Sequence, residues 1–165
     1  MSPPSSTDIH AALIRALAPV TRWRHPYPGD GPPVRVNETG VDVWENHVGD
    51  VRVDPDGTCH AYLFLQTGPG GYDWTRHVAG ASLTRWRPIA TIAAGTPTKA
   101  RWGLDKVRPL LDGAILTSPS GQQLTAPLRE GTTPFENYDP GPLRVDQDPS
   151  PPRWYVPIQY ATTAH

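Results

Sequence analysis

Between Thr96 and Leu116 the apolar side chains recur at the spacing of an α-helix. In "TPTKARWGLDKVRPLLDGAIL" the residues Ala100, Leu104, Val107 and Leu111 stand four, three and four apart, which lines them along one stripe. Thr96 is placed to cap the free amides, Pro97 sits where a missing N–H costs nothing, and Asp112-Gly113 offers a left-handed exit. The stripe is predicted to face a core, while Arg101, Trp102, Asp105 and Lys106 lie on the outer side. Pro109, opposite the stripe, is expected to bend the last turn because it removes a donor and crowds the carbonyl four residues back. A shorter helix is predicted in "STDIHAALIRALAP", with Ser6 or Thr7 as its cap, Ile9, Leu13, Ala16 and Leu17 on one stripe, and Pro19 as its stop.

Alternation with period two marks the strands. The pairs Val34/Val36, Val41/Val43 and Val51/Val53 alternate with polar residues between the turn signals "NETG" and "NHVGD". "CHAYLFLQ" is apolar on both alternations from Ala61 to Leu65, the pattern of a central strand covered on both faces. A further strand region is expected at about residues 83–94, where Pro88 argues for an edge position or a bulge. Residues 114–117 and 122–129 read as short strands joined by "SPSG". In "RWYVPIQYA" the residues Trp154, Val156, Ile158 and Tyr160 share one face, so the last strand is expected to return to the sheet. Three stretches read as irregular: a polar tail at 1–6, a Pro-rich loop or arm at 19–33, and an acidic Pro-rich loop at 130–152. The elements together predict one α+β domain over residues 1–165, a mixed, mostly antiparallel sheet flanked by two helices.

Composition narrows the classes of function. With 15 basic and 16 acidic residues and a net charge of -1, no whole-molecule field draws the chain to nucleic acid or to an anionic membrane. The 21 Pro and 15 Gly predict a real core carrying long, stiff loops. Cys59 is the only cysteine, which rules out an internal disulfide and a Cys-rich zinc site. No run approaches the ~18 apolar residues of a membrane-spanning helix, and no basic start leads into a sustained apolar segment. A soluble protein made in the cytoplasm is therefore expected.

Catalytic signatures are not evident. "GPGG" is followed by Tyr72, Asp73 and Trp74 where a phosphate loop needs Gly-Lys-Ser/Thr. The six histidines contain no pair at the helical spacing of a zinc hydrolase, and no serine lies in a nucleophile elbow. Glu136, Asp139, Asp146 and Asp148 cluster, but in so polar a stretch they read as solvated charges. No catalytic residue, metal ligand or cofactor site is assigned. More unusual, four of the six tryptophans follow an arginine: Arg22-Trp23, Arg85-Trp86, Arg101-Trp102 and Arg153-Trp154. On a strand such a pair can mean charge outside and bulk inside. Trp and Arg are also the residue types enriched at interface hot spots, and bases can stack on aromatics beside cations.

Taken in order, "HAYLFLQTGPGG", "RWRPIATIAAGTPTKARWGLDKVRPLLDGAIL", "YDPGPLRVDQD" and "PRWYVPIQYAT" resemble the tail terminator (tail-completion) proteins of long-tailed bacteriophages, of the actinobacterial phage type. About two thirds of the chain carries the resemblance, which lies in the order of elements and not in a catalytic signature. It implies a structural virion protein at the head-proximal end of the tail, not an enzyme. It further implies a ring, usually of six copies, on the last ring of major tail tube protein, which stops tube growth and docks the head-completion (connector) protein. Genome DNA passes through such a ring without sequence-specific contacts, and no membrane is involved. Closed rings join unlike patches of one chain. The candidate patches are Trp23, Arg85, Trp86, Arg101 and Trp102 on one side and Asp139, Asp146 and Asp148 on the other. The alternatives are another head–tail connector or minor tail protein, or a small nucleic-acid- or ligand-binding domain.

Overall fold

The structure is a computed structural model that describes residues 4–19, 21–23, 40–45, 48–67, 72–78, 81–130, 144–146 and 150–164. The pair Val34/Val36, the "GPGG" run, most of the Pro-rich stretch, Asp139 and Asp148 lie outside them. The described elements are α1 (Ser6–Leu17), β1 (Thr21–Trp23), β2 (Val41–Glu45), β3 (Tyr62–Gln66), β4 (Tyr72–Val78), β5 (Ala81–Trp86), β6 (Ile89–Ala94), α2 (Pro97–Leu111), β7 (Arg129–Glu130), β8 (Arg144–Asp146) and β9 (Arg153–Ala164). The strands form one mixed sheet in the order β1-β2-β3-β6-β9-β5-β4, with β7 and β8 paired to β9. β1, β2 and β3 run parallel to one another, and every other pairing is antiparallel. This is the expected α+β fold.

Both helices turn most of their predicted stripes toward one face of the sheet. Along that face Val43, Leu63, Ile92 and Val156 stand in one register row and Leu65, Ala90 and Ile158 in the next. All seven are buried in a core that also holds Ile9, Leu13 and Leu17 of α1 and Val107 and Leu111 of α2. Transfer of so much apolar surface from water is the main force that closes the fold.

The helix ends follow local rules, with one shift. Thr96 caps α2, its hydroxyl accepting from Lys99 N–H at 3.2 Å, and Gly113 takes the left-handed exit at φ 79°. Pro109 lies inside α2 on its exposed side. At α1 the cap is Ser5, one residue before the predicted pair, because Asp8 completes a capping box with it.

The middle of α2 departs from the predicted stripe. Gly103 is buried and Leu104 only half-buried. A Cβ on Gly103 would lie 3.1 Å from Ile92 Cγ2 and 3.4 Å from Ala61 Cβ, so the missing side chain brings the helix close to the sheet. Trp102, placed on the outer side by periodicity, is half-buried; it packs against the core and against the small cluster of Ala61, Ala94 and Ala100. A large ring at the margin of a stripe reaches past it to apolar surface that periodicity does not represent.

Long-range pairing also changes several loops and strands. The Pro-rich stretch contains β1, and the acidic stretch contains β8, which zips onto β9. Residues 83–94 hold two strands, not one: β6 pairs with β9 from Trp154 to Gln159 and β5 pairs with it from Thr162 to Ala164. Pro88 stands at the break between them, where its carbonyl accepts from Tyr160 N–H at 2.9 Å. β6 is therefore central, because proline only has to lack a donor where none is required. Val53 makes an isolated bridge to Cys59 in place of a strand. The 114–128 segment forms a ladder through Leu124 N–H to Leu116 C=O and Leu128 N–H to Ala114 C=O, each 2.8 Å, with Gly121 at φ 85° in its turn.

Candidate functional site

Residues one position out of phase with the core rows populate the opposite face of the sheet. There Asp42, Tyr62, Ala93 and Tyr155 stand in one register row, and Trp44, Phe64, Thr91 and Pro157 in the next. Neither helix packs on this side, and residues 48–60 fold over part of it. They form a second apolar cluster, in which Trp44, Cys59, Tyr62 and Ala93 are buried and Val48, Val51, Phe64 and Tyr155 pack around them. Gly49 lies on the Trp44 indole so closely that a Cβ would sit 2.7 Å from the ring. Asp42 and Arg52 meet beneath this segment at 3.8 Å with side chains 2 % and 7 % exposed, a buried charge pair that fixes the segment's position.

Where the covering segment stops, a pocket of about 170 Å³ opens. Tyr62, Phe64 and Tyr155 form its aromatic walls, Thr91 and Ala93 its floor, and Arg153 and Asp146 its charged rim. Arg153 Nη1 donates to the Tyr62 hydroxyl at 3.2 Å, and the guanidinium carbon lies 5.8 Å from the Tyr62 ring centroid. Burial pushes the Tyr62 hydroxyl upward against the opposing pull of Arg153, which keeps it a neutral acceptor. Arg153 Nε is buried with no acceptor among the described residues. Asp146 pairs opposite Arg153 in the β8–β9 register and is exposed. The pocket offers aromatic surface, one donor without an acceptor among the described residues, and one carboxylate at the edge.

The sequence candidates are scattered over the fold. Asp146 reaches the pocket, brought there by β8 beside the Arg153-Trp154 pair. Trp86 is 2 % exposed and belongs to the core, with Arg85 half-buried beside it. Trp102 is half-buried and meets His60 edge-on at 6.3 Å between centroids, whereas Arg101 is exposed on α2. The backbone of Trp23 pairs opposite Val43 in β1. Asp139 and Asp148 lie outside the described residues.

Two polar clusters were not singled out by sequence patterns. His10 of α1 is held between Glu45, at the end of β2, and Thr67, just after β3. The Glu45 carboxylate takes Nε2–H, leaving Nδ1 to accept the Thr67 hydroxyl at 2.7 Å. Hydroxyl, imidazole and carboxylate in this order can pass a proton, and here they also fasten α1 to two strand ends. The three residues are 35 and 57 positions apart along the chain, so only tertiary structure unites them.

The second cluster gathers on Lys99. Its Nζ donates to Asp54 Oδ2 at 2.6 Å, to Asp56 Oδ2 at 2.8 Å and to Thr58 Oγ1 at 2.7 Å. His60 bridges Asp54 Oδ1 and the Gly40 carbonyl, each at 2.8 Å. Burial opposes ionisation of Asp54, but the bonds from Lys99 and His60 outweigh it and hold the carboxyl below its usual range. The Lys99 bond, with those from Thr58, holds Asp56 lower still. A depressed carboxyl contributes stability that is complete above the unfolded value of about 4 and disappears as pH falls through the folded value. Thermal stability is therefore expected to drop below about pH 4, and Lys99→Met should flatten that drop while lowering stability at neutral pH. Parallel melting profiles from neutral to acid pH for the two proteins would check this.

No family model matches the chain, and no curated protein matches it. Among the described residues no group of three or more His, Cys, Asp or Glu side chains could hold a metal ion, and no helix is long and apolar enough to cross a membrane.

Proposed function

We propose that the chain is a tail terminator: a virion protein whose copies form a ring on the end of the tail tube, stop its polymerisation and dock the head-completion protein. The observation that carries the reading is the order and layering of elements. A short N-terminal helix and the 97–111 helix brace one face of a mixed sheet, and the last strand returns to its centre. This is the architecture that the resemblance implies, reached from packing alone. The other sheet face, which residues 48–60 cover in part and which carries the aromatic pocket with its Arg153/Asp146 rim, contributes on this view to contact with neighbours. In this reading the candidate patches are surfaces of assembly and the protein catalyses nothing.

The test is a phage deleted for this gene. Tube subunits polymerise head to tail through contacts that do not close, so they have no intrinsic end. Electron micrographs are expected to show tubes of irregular, often excessive length beside unattached heads. Purified protein should restore joining without added nucleotide or metal. Tails of normal length attached to heads in the deletion would sink the proposal.

One observation favours a second reading, a small nucleic-acid- or ligand-binding domain: three aromatic rings beside a guanidinium are a stacking platform. The net charge of -1 and the Asp146 carboxylate at the rim both oppose a polyanion. Retardation of single-stranded DNA by a monomer, lost in Tyr155→Ala, would support it over the ring.

A further inference from the structure

Residues 48–58 hide the second apolar cluster without being buried themselves. Trp44, Cys59, Tyr62 and Ala93 are at most 6 % exposed, whereas every residue from Val48 to Thr58 is half-buried or exposed, Val53 at 50 %. The segment belongs to no strand of the sheet. Asp54 N–H donates to Thr58 C=O and His60 N–H to Arg52 C=O, each at 2.8 Å, and Val53 bridges Cys59, so these bonds tie the segment to itself. Local stability follows buried apolar contact and backbone pairing to the core. A segment short of both opens at less cost than the whole fold.

Side chains hold the segment against the sheet. Val48 and Val51 pack on the cluster, and Gly49 lies on the Trp44 indole, but all three stay half-buried. Arg52 meets Asp42 at 3.8 Å, and opening would hydrate both charges, so this pair adds little net resistance. Lys99 grips harder. From α2 its Nζ donates to Asp54, Asp56 and Thr58, and two of the three bonds join opposite charges, the stronger kind of hydrogen bond.

We propose that residues 48–58 are a strap that opens as a unit while the sheet and both helices stay folded, and that the grip of Lys99 on Asp54, Asp56 and Thr58 sets how often it opens. Opening uncovers Trp44 and Cys59. These two share their cluster with Tyr62, Phe64, Ala93 and Tyr155, which also line the pocket, so the pocket of about 170 Å³ is the near end of a longer aromatic groove. The strap sets how much of that groove is exposed. The inference goes beyond the ring-forming reading and does not depend on it.

Cys59 reports on the strap, because it is the only cysteine of the chain and is 0 % exposed beneath it. The rate at which dithiodipyridine labels the full-length protein is to be measured against urea concentration. Local opening predicts a rate that is nearly flat at low urea and turns steeply upward only where global unfolding takes over, since little surface is exposed before that point. Lys99→Met is expected to raise the rate without urea at least about tenfold, from the loss of hydrogen bonds to charged groups. Arg108→Met removes the ion pair with Glu130 near the other end of α2 and is expected to lower the urea midpoint while leaving that rate unchanged. A parent rate that follows the global slope from the first addition of urea, or equal acceleration by both variants, would overturn the proposal. Should Lys99→Met fail to fold, the urea dependence of the parent decides by itself.

Discussion

Leu111→Asp is expected to yield no folded protein, whereas Leu104→Asp is expected to fold. Leu111 is 1 % exposed and stands in a core built almost wholly of apolar side chains at the end of α2. The substitution forfeits about 2–5 kcal/mol of leucine packing and strands a charge or an unpaired carboxyl at a further cost of several kcal/mol. Against a total stability of roughly 5–15 kcal/mol the sum removes the native state. Leu104 is half-buried at the margin of the same helix, so a carboxylate there can turn to water. Loss of about 1–2 kcal/mol is expected for it, from partial loss of apolar burial. Circular dichroism and amide proton dispersion of both variants provide the check. Equal collapse of both would place the core stripe where periodicity alone puts it.

Gly95→Ala should lower the melting temperature by about 10 °C. Gly95 joins β6 to α2 and passes directly over the 58–59 backbone, where its N–H donates to Cys59 C=O at 2.8 Å. An added Cβ would fall 2.4 Å from Cys59 N and 2.6 Å from Thr58 Cβ, and the nearer of these is backbone that cannot swing aside. Forcing the strands apart costs about 3 kcal/mol at the upper end of overpacking, and a domain of this size loses roughly 2–4 °C per kcal/mol. The same displacement draws Asp54, Asp56 and Thr58 away from Lys99, so the variant should also lose part of its acid sensitivity. A melting temperature within a few degrees of the parent would mean that the crossing is looser than its distances.

Much of this architecture was legible one element at a time. Thr96, Pro97 and Gly113 mark the ends of α2 because capping groups act within a turn of the residues that supply them. The buried positions of α1 and the alternation along β9 follow from the periods 3.6 and 2, which geometry imposes wherever one face is buried. The α+β class follows from counting such elements. Periodicity fails where a neighbour from far along the chain decides. Gly103 counts as a gap in an apolar stripe, yet it is where α2 comes so close to Ile92 that a Cβ would crowd it. β1 and β8 stand in stretches that composition marks as loops, because a strand of three residues is specified by the partner that pairs with it and not by its own propensity.

The candidate site divides in the same way. Arginine followed by tryptophan drew attention as a local pair, but burial is a property of the whole fold, and it sends Trp86 into the core while leaving Arg101 in water. The pocket draws Tyr62 and Phe64 from β3, Thr91 and Ala93 from β6, Tyr155 and Arg153 from β9 and Asp146 from β8. No pattern within a window of sequence relates these residues. Composition and period by themselves determined a small α+β core, its helix ends and its final strand, since those depend on neighbours within a few residues. Tertiary structure alone decided which face of the sheet received the helices, which aromatic residues and charges met on the other and how β5 and β6 share β9, since each depends on strand register between segments that meet only when the chain is folded.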